Sequence, residues 1–467
     1  MEYHDTDKAP REGARAAGPA SGADRGEMAP KRLGRAVLAL ALPAILSNIT
    51  VPLLGLSDTF ISGHLGSEVF IAAIAVGTMM VNTVYWLFGF LRMGTTGLVA
   101  EAVGASDTMR QRRLFTVSLL LGFFIGVVLF LVGYPLGRLM VLVMEPSSDA
   151  AGLGMDYFRV SVMSAPAVLA TMAAVGWMIG RQNTVGPMIV AIAVNVINIV
   201  LSFSFVFGLE SGFIGVAWGT CIANWCGLLL ALVIAWRVAA PDPLFAPLRG
   251  LMRGVDPGRF FRVNSDLMVR SACIMAIIFA MTSLGGRMGD LTLAVNAIVM
   301  QMFMFFSYFM DGFAFSGEAL CGRFAGAGSR RGILSTLRVL MMWTLGVTAV
   351  FTVAYAFGAR DIAALLTDEP RVVDGVGALH VIVALIPAIS AAAFIFDGVY
   401  IGMTATRTLL WVTFTAMAAY FLVWSVPELT PFLTSNQRLW AAFLTSLLLR
   451  GGLLALRLPA HLPGAPR

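Results

Sequence analysis

The chain reads as an all-α polytopic membrane protein of twelve transmembrane helices, folded as two six-helix bundles related by a pseudo-twofold axis. Three observations predict this. Of its 467 residues 58% are hydrophobic and only 12% charged, whereas a soluble domain carries about 25% charged residues. Apolar runs of spanning length recur from end to end, and a bilayer core requires roughly 20 apolar residues per helix. The two halves also resemble each other at a constant offset. With a mean hydropathy of +0.84, no soluble fold of this length has interior enough for its apolar surface.

Residues 1–33 are rich in Gly, Ala, Arg and Asp and poor in large apolar residues, which predicts a disordered cytoplasmic tail. They lack the short apolar core and cleavage site of a secretory signal, so the first helix is expected to act as a signal-anchor. Six spans near 35–62, 68–103, 114–136, 152–180, 185–207 and 212–236 form an N-terminal bundle over 34–238. The Pro- and Arg-rich stretch 239–260 reads as a cytoplasmic linker. Spans near 261–285, 291–326, 332–358, 374–403, 408–426 and 436–456 form a C-terminal bundle over 261–458, leaving a tail at 459–467. The two longest runs are expected to bend at Gly94/Gly97 and around Gly312/Gly317.

The arginines set the orientation. Only Arg138, Arg287, Arg360, Arg371 and Arg438 fall in loops opposite the N-terminus, and Arg92, Arg159 and Arg270 fall within spans. The other twenty-four of the 32 Lys and Arg, Arg450 among them, collect on one side. The positive-inside rule makes that side the cytoplasm, with both termini there.

The repeat is visible in three places. LGSEVFIAAIAV from Leu65 recurs as MGDLTLAVNAIV from Met288, and SAPAVLATMAAVGWMIG ending at Gly180 recurs as LIPAISAAAFIFDGVYIG ending at Gly402. GLVAEAVGA ending at Ala105 recurs as ALCGRFAGA ending at Ala327. Six spans per repeat is an even number, so both halves cross in the same sense and their axis lies along the membrane normal. A cavity between two such halves is transporter architecture.

The stretch from Pro43 to Gly66 holds one carboxylate, Asp58, inside an apolar run broken by Pro43 and Pro52. An ionisable group within a span marks an ion or substrate pathway by default, and prolines free backbone groups to line a cavity. Asp58 is therefore the candidate proton carrier. Asn195, Asn198 and Ser202 recur at helical spacing, either as bonds between helices or as part of that site. Arg270, Asp311 and Asp397 lie in the inner halves of C-terminal spans, where unpaired charge is costly. They are expected to pair with one another, as a structural cluster that also gates or as a second proton site. Arg92, Glu101 and Glu318 read as pairs at helix ends, and Arg159 as structural. Asn48, Asn195, Met300, Met304 and Tyr308 are candidates for a substrate cavity. Flexible methionines suit varied hydrophobic ligands and aromatic rings suit cationic ones, although Met is equally common as plain apolar filler.

Several strings carry a family resemblance. PAILSNITVPLLGLSDTFISGHLGS, LRMGTTGLVAEAVGASD, GRQNTVGPM, NVINIVLSFSFVFG, NAIVMQMFMFFSYFMDGFAFSGEALCG and FDGVYIGMTATRT resemble multidrug and toxic compound extrusion (MATE) transporters. The branch they resemble is the one named for DNA-damage-inducible protein F, over about residues 35–455. The resemblance implies two six-helix bundles forming a V, alternating access, and export of drugs or metabolites against an inward proton or sodium flux. It also implies that the first-helix aspartate works beside polar residues of the fifth and sixth helices, which here are Asp58, Asn198, Ser202 and Thr220. Ser202 departs from the pattern, since many members carry an aspartate there. One carboxylate offers sodium less charge, so protons are the expected coupling ion.

Other classes fit less well. A lipid-linked precursor flippase of the wider superfamily typically adds helices or a cationic cavity. An intramembrane enzyme would need clustered carboxylates or a nucleophile–base pair, and no GxxxxGKS string points to ATP. A passive channel does not explain a repeat built around a buried acid. Cys221, Cys226, Cys273 and Cys321 form no CxxC pair, and the four histidines lack ligand spacing, so neither a disulfide framework nor a metal is indicated. The expected partners are a small-molecule substrate, protons or sodium and the bilayer, with no cofactor or nucleic acid, for a monomer of the inner (plasma) membrane.

Overall fold

The computed structural model describes residues 30–64, 68–144 and 148–464, apart from the side chains of Pro30, Leu53, Asp58, Thr59, Ser62, Glu68, Val143 and Leu429. The expected tail therefore lies almost wholly outside the described residues. The regular elements of the described chain are all helices, and residues 240–256 connect its halves as turns and irregular chain. The first half contains α1 (Pro30–Gly63), α2 (Glu68–Leu87), α3 (Phe90–Gly104), α4 (Thr108–Leu131), α5 (Gly133–Met144), α6 (Ser148–Val162), α7 (Ala165–Gly180), α8 (Val185–Phe203) and α9 (Ile214–Ala239). The second contains α10 (Pro257–Arg287), α11 (Asp290–Gly326), α12 (Arg330–Leu366), α13 (Pro370–Ala378), α14 (His380–Gly402), α15 (Thr406–Ser425) and α16 (Ser435–His461). Among the described residues eleven segments are long and apolar enough to cross a membrane, and α6 with α7, bent by 53°, makes a twelfth.

Helix boundaries repeat at an offset of 222 residues: Glu68–Gly104 answers Asp290–Gly326, and Thr108–Met144 answers Arg330–Leu366. The turns repeat too. The chain leaves α3 and α11 through left-handed residues at Ser106 and Gly328, and leaves α7 and α14 through Gln182 and Thr404. Each of these four turns is closed by a backbone bond reaching back five residues, such as Asp107 N to Ala102 O and Ser329 N to Phe324 O, which satisfies otherwise orphaned helix-end carbonyls. Asp107, Asp256, Ser329 and Thr434 cap the helices that follow them, covering the first free N–H groups.

The helix breaks fall at other places than the expected bends. The second span is interrupted at Phe88–Gly89, where bonds reach back only three residues, and α11 runs unbroken through Gly312 and Gly317. Proline explains two further breaks: Pro135 and Pro166 each lack the N–H that would continue the preceding helix, so α4 gives way to α5 and α6 to α7. Gly97 and Gly312 are close-approach sites. A Cβ on Gly97 would lie 2.2 Å from the Ile401 carbonyl oxygen, and one on Gly312 2.4 Å from Ile45. The first helix begins at Pro30, earlier than expected, and so includes Lys31, Arg32 and Arg35.

The cores give the molecule its V. Call the face where α1 begins and α16 ends the terminal face. One continuous cluster, from Leu33 and Val37 through Leu98 and Trp177 to Phe313, Phe324 and Tyr400, joins both halves on that side. Toward the opposite face the cores separate: Ile61, Ile74, Tyr157 and Val216 in one half, Met281, Val299, Tyr355 and Trp440 in the other. Large apolar side chains such as Leu131, Leu345, Val350 and Phe357 point outward, as hydrocarbon contact requires.

Candidate functional site

Side-chain hydrogen bonds and ion pairs link the two helical bundles from the terminal face as far as the middle of α1 and α11. Arg92 of α3 grips Glu318 of α11 through two bonds of 3.0 and 3.3 Å, while its guanidinium lies 4.2 Å above the Phe315 ring. Glu101 accepts from Arg259 at 2.8 Å, from Thr404 at 3.3 Å and from Arg110 at 3.4 Å. Arg323 donates to Gln182 at 3.0 Å. Ser316 donates to the Val37 carbonyl at 3.0 Å, and Asn48 to the Tyr308 carbonyl at 3.2 Å. Arg92, Glu101 and Glu318 do form pairs, as expected, and the Arg92–Glu318 and Glu101–Arg259 pairs cross from one bundle to the other.

Backbone packing makes this face tight. A Cβ on Gly104 would lie 1.9 Å from the Arg323 carbonyl oxygen, and one on Gly326 2.0 Å from that of Glu101. Gly326→Ala is expected to destabilise the closed face by about 1–3 kcal/mol, the usual effect of overpacking. The check is maleimide alkylation of the fully buried Cys321, which should accelerate several-fold; a wild-type rate would refute the expectation.

In the second half Asp397 is held by two arginines. Arg270 of α10 and Arg450 of α16 both donate to its carboxylate, with Arg270 only 4% exposed. Arg450, expected among the cytoplasmic arginines, lies instead in the bundle interior, its side chain 12% exposed. The signal was present, since it falls inside the span expected over 436–456. Asp311 is half-buried on α11 and makes no hydrogen bond or ion pair among the described residues, so the expected mutual pairing holds for Arg270 and Asp397 only.

In the first half a polar chain links α8 to α9. Asn198 donates to Thr220 at 2.9 Å, Ser202 donates to Asn198 at 3.3 Å, and Thr220 donates onward to the Val216 carbonyl at 3.0 Å. Asn198 and Ser202 are buried. Asn195 donates to Thr50 of α1 at 2.8 Å. One turn along α9, Asn224 donates to Ser164, which sits 3.3 Å from the Tyr85 hydroxyl, a link that the sequence reading missed. Its members come from three separate segments, so no local spacing signals it. The backbone of Asp58 lies in α1, but its side chain, and with it the coupling role assigned to it, lies outside what is described.

Met300, Met304 and Tyr308 recur every fourth residue on α11 and are half-buried, whereas Met302, Phe306 and Met310 belong to the core. Arg159 pairs loosely with Asp156 at 3.8 Å. These two line a cavity of about 550 Å³ with Phe130, Val160, Met163 and Phe213, which includes none of the predicted site residues. Among the described residues no three His, Cys, Asp or Glu lie close enough to hold a metal.

Comparison with known proteins gives the family. The MatE family model matches residues 43–204 and again 267–424, once in each half. The chain is 34% identical over 422 residues to DNA damage-inducible protein F of Escherichia coli (strain K12), covering 89% of this chain and 90% of that one. It is 26% identical over 390 residues to Protein DETOXIFICATION 44, chloroplastic, of Arabidopsis thaliana, covering 80% and 73%. Among solved structures its fold is similar to the Vibrio cholerae MATE transporter VcmN in the bent form (TM-score 0.82, 16% identity, 93% of this chain and 98% of that one). It is also similar in fold to the eukaryotic MATE transporter AtDTX14 (TM-score 0.79, 17% identity, 92% and 96%). This multi-pass, doubled chain belongs to the MATE family of membrane transporters.

Proposed function

We propose that this transporter is a secondary active antiporter of the inner membrane, exporting drugs or small amphipathic, cationic compounds against an inward proton flux. The terminal face is cytoplasmic in this reading, as the arginine distribution favours. The bundles over 34–238 and 261–458 rock about the 239–260 linker, and the protein works as a monomer. The observation that carries the reading is the V itself: bundles sealed at the terminal face and cored separately beyond it suit an outward-facing state of an alternating-access cycle. A relative named "Probable multidrug resistance protein NorM", from Thermotoga maritima, is 26% identical over 358 residues, which supports the substrate class. Proton coupling is favoured over sodium because the Ser202–Asn198–Thr220 chain already engages the Asn198 and Thr220 side-chain oxygens as acceptors and contributes no carboxylate, whereas a hard cation takes oxygen ligands.

The test is ethidium efflux from proteoliposomes under an imposed pH gradient or an imposed sodium gradient. A pH gradient alone should drive efflux. Sodium-driven efflux indifferent to pH would overturn the coupling ion, and no gradient-driven efflux of any amphipathic cation would overturn the substrate class.

A further inference from the structure

Arg92 of the first half, and Arg270 and Arg450 inside the second, gather around three acids of the second half, Glu318, Asp397 and Asp311. Glu318 answers Arg92. Asp397 is shared between Arg270 and Arg450, which leaves that clamp one positive charge in excess. Asp311 is the remaining acid, half-buried and bonded to nothing among the described residues. On α11 it precedes Phe315 by one turn and Glu318 by two, so the three lie on one helical face. The Arg92 guanidinium stacks on the middle one and grips the last. Arg92 comes from the other bundle.

We propose that Asp311 is a proton-exchange site of the C-terminal bundle, and that its charge helps hold the two bundles together on the terminal face through Arg92. The charges within its electrostatic reach are Arg92 from α3, Glu318 from α11 itself, Asp397 from α14 and Arg450 from α16, with Arg270 of α10 behind Asp397. The segments of α1 and α12 packed on α11 here carry no charged group: Ile45 lies against Gly312, Asn48 donates to the Tyr308 carbonyl, and Phe351 lies against Phe306 and Phe309. Ionised, Asp311 attracts Arg92 and balances the surplus of the Arg270–Arg450 clamp. When a proton from water binds its carboxylate, that attraction is lost and three cations face two anions. Arg92 is then repelled toward its own bundle. Proton loading from the open cleft therefore favours opening at the terminal face, which is the step that a proton-driven exporter needs. The inference rests on the proton-coupled reading and adds a second coupling residue to it.

The test measures conformation and needs no substrate. Spin labels are placed on Met109→Cys and Arg330→Cys, exposed positions at the terminal ends of α4 and α12, in a chain without its native cysteines. Distances are measured in lipid nanodiscs between about pH 8 and about pH 5, a range in which buried carboxyls titrate. The separated population of the wild-type pair should grow several-fold as the pH falls. Asp311→Asn should show that larger population at every pH, and Asp311→Glu should restore the dependence, which a merely structural role would not. A pH-independent wild-type distance would overturn the proposal. So would a wild-type profile in Asp311→Asn, even where efflux proves proton-driven, so its failure is separable from failure of the proposed function.

Discussion

Asp397→Asn is expected to destabilise the second bundle by about 3–5 kcal/mol, the usual result of removing one partner from a buried ion pair. Asp397 accepts from both Arg270 and Arg450, and Arg270 has no equivalent substitute: its Nε has no partner and one Nη reaches only the Met93 sulfur, at 3.8 Å. An amide would leave two cations in a low-dielectric interior, facing each other across a neutral group. The midpoint of thermal unfolding in detergent should fall sharply, and an unchanged midpoint would refute the account. Replacing the set together, as Arg270→Met, Asp397→Leu and Arg450→Met, should recover most of that stability because no unpaired charge remains. Efflux by this triple variant then separates the cluster's place in transport from its place in the fold.

Asp58→Asn carries the second large effect. Coupling requires a site whose affinity for the driving ion differs between the two conformations, and an amide cannot take up a proton. Gradient-driven ethidium efflux should fall by an order of magnitude or more, while the variant elutes and melts as the wild type does. Binding of the cation without a gradient should persist. Undiminished efflux would remove Asp58 from the coupling role.

How far these features were legible follows from how local each one is. Apolar run length and the recurring motifs placed every span within several residues, because each span must satisfy its own backbone bonds inside hydrocarbon. The glycines were harder. Gly97 and Gly312 look like hinges within their own helices, and only the distant Ile401 and Ile45 show them to be contact points. Charge partners were hardest: Arg92 and Glu318 lie 226 residues apart, and nothing local to either names the other. Arg450 could have been noticed as a charge inside a predicted span, but its carboxylate lies 53 residues earlier. Asn198 and Thr220 lie on neighbouring spans, and only the family resemblance, not their spacing, pairs them in the sequence.

The closed face also bears on which half can pair with which. Glu101 and Arg323 occupy the same place in their repeats, and each reaches the corresponding left-handed turn of the other half, Thr404 in one case and Gln182 in the other. The geometry is symmetrical and the charge is opposite. Two copies of the first half would set glutamate beside glutamate across that seam, and two copies of the second would oppose arginines, an arrangement that discriminates against like pairing. The halves are thus mutually specific and not interchangeable, and a single chain supplies them in equal number.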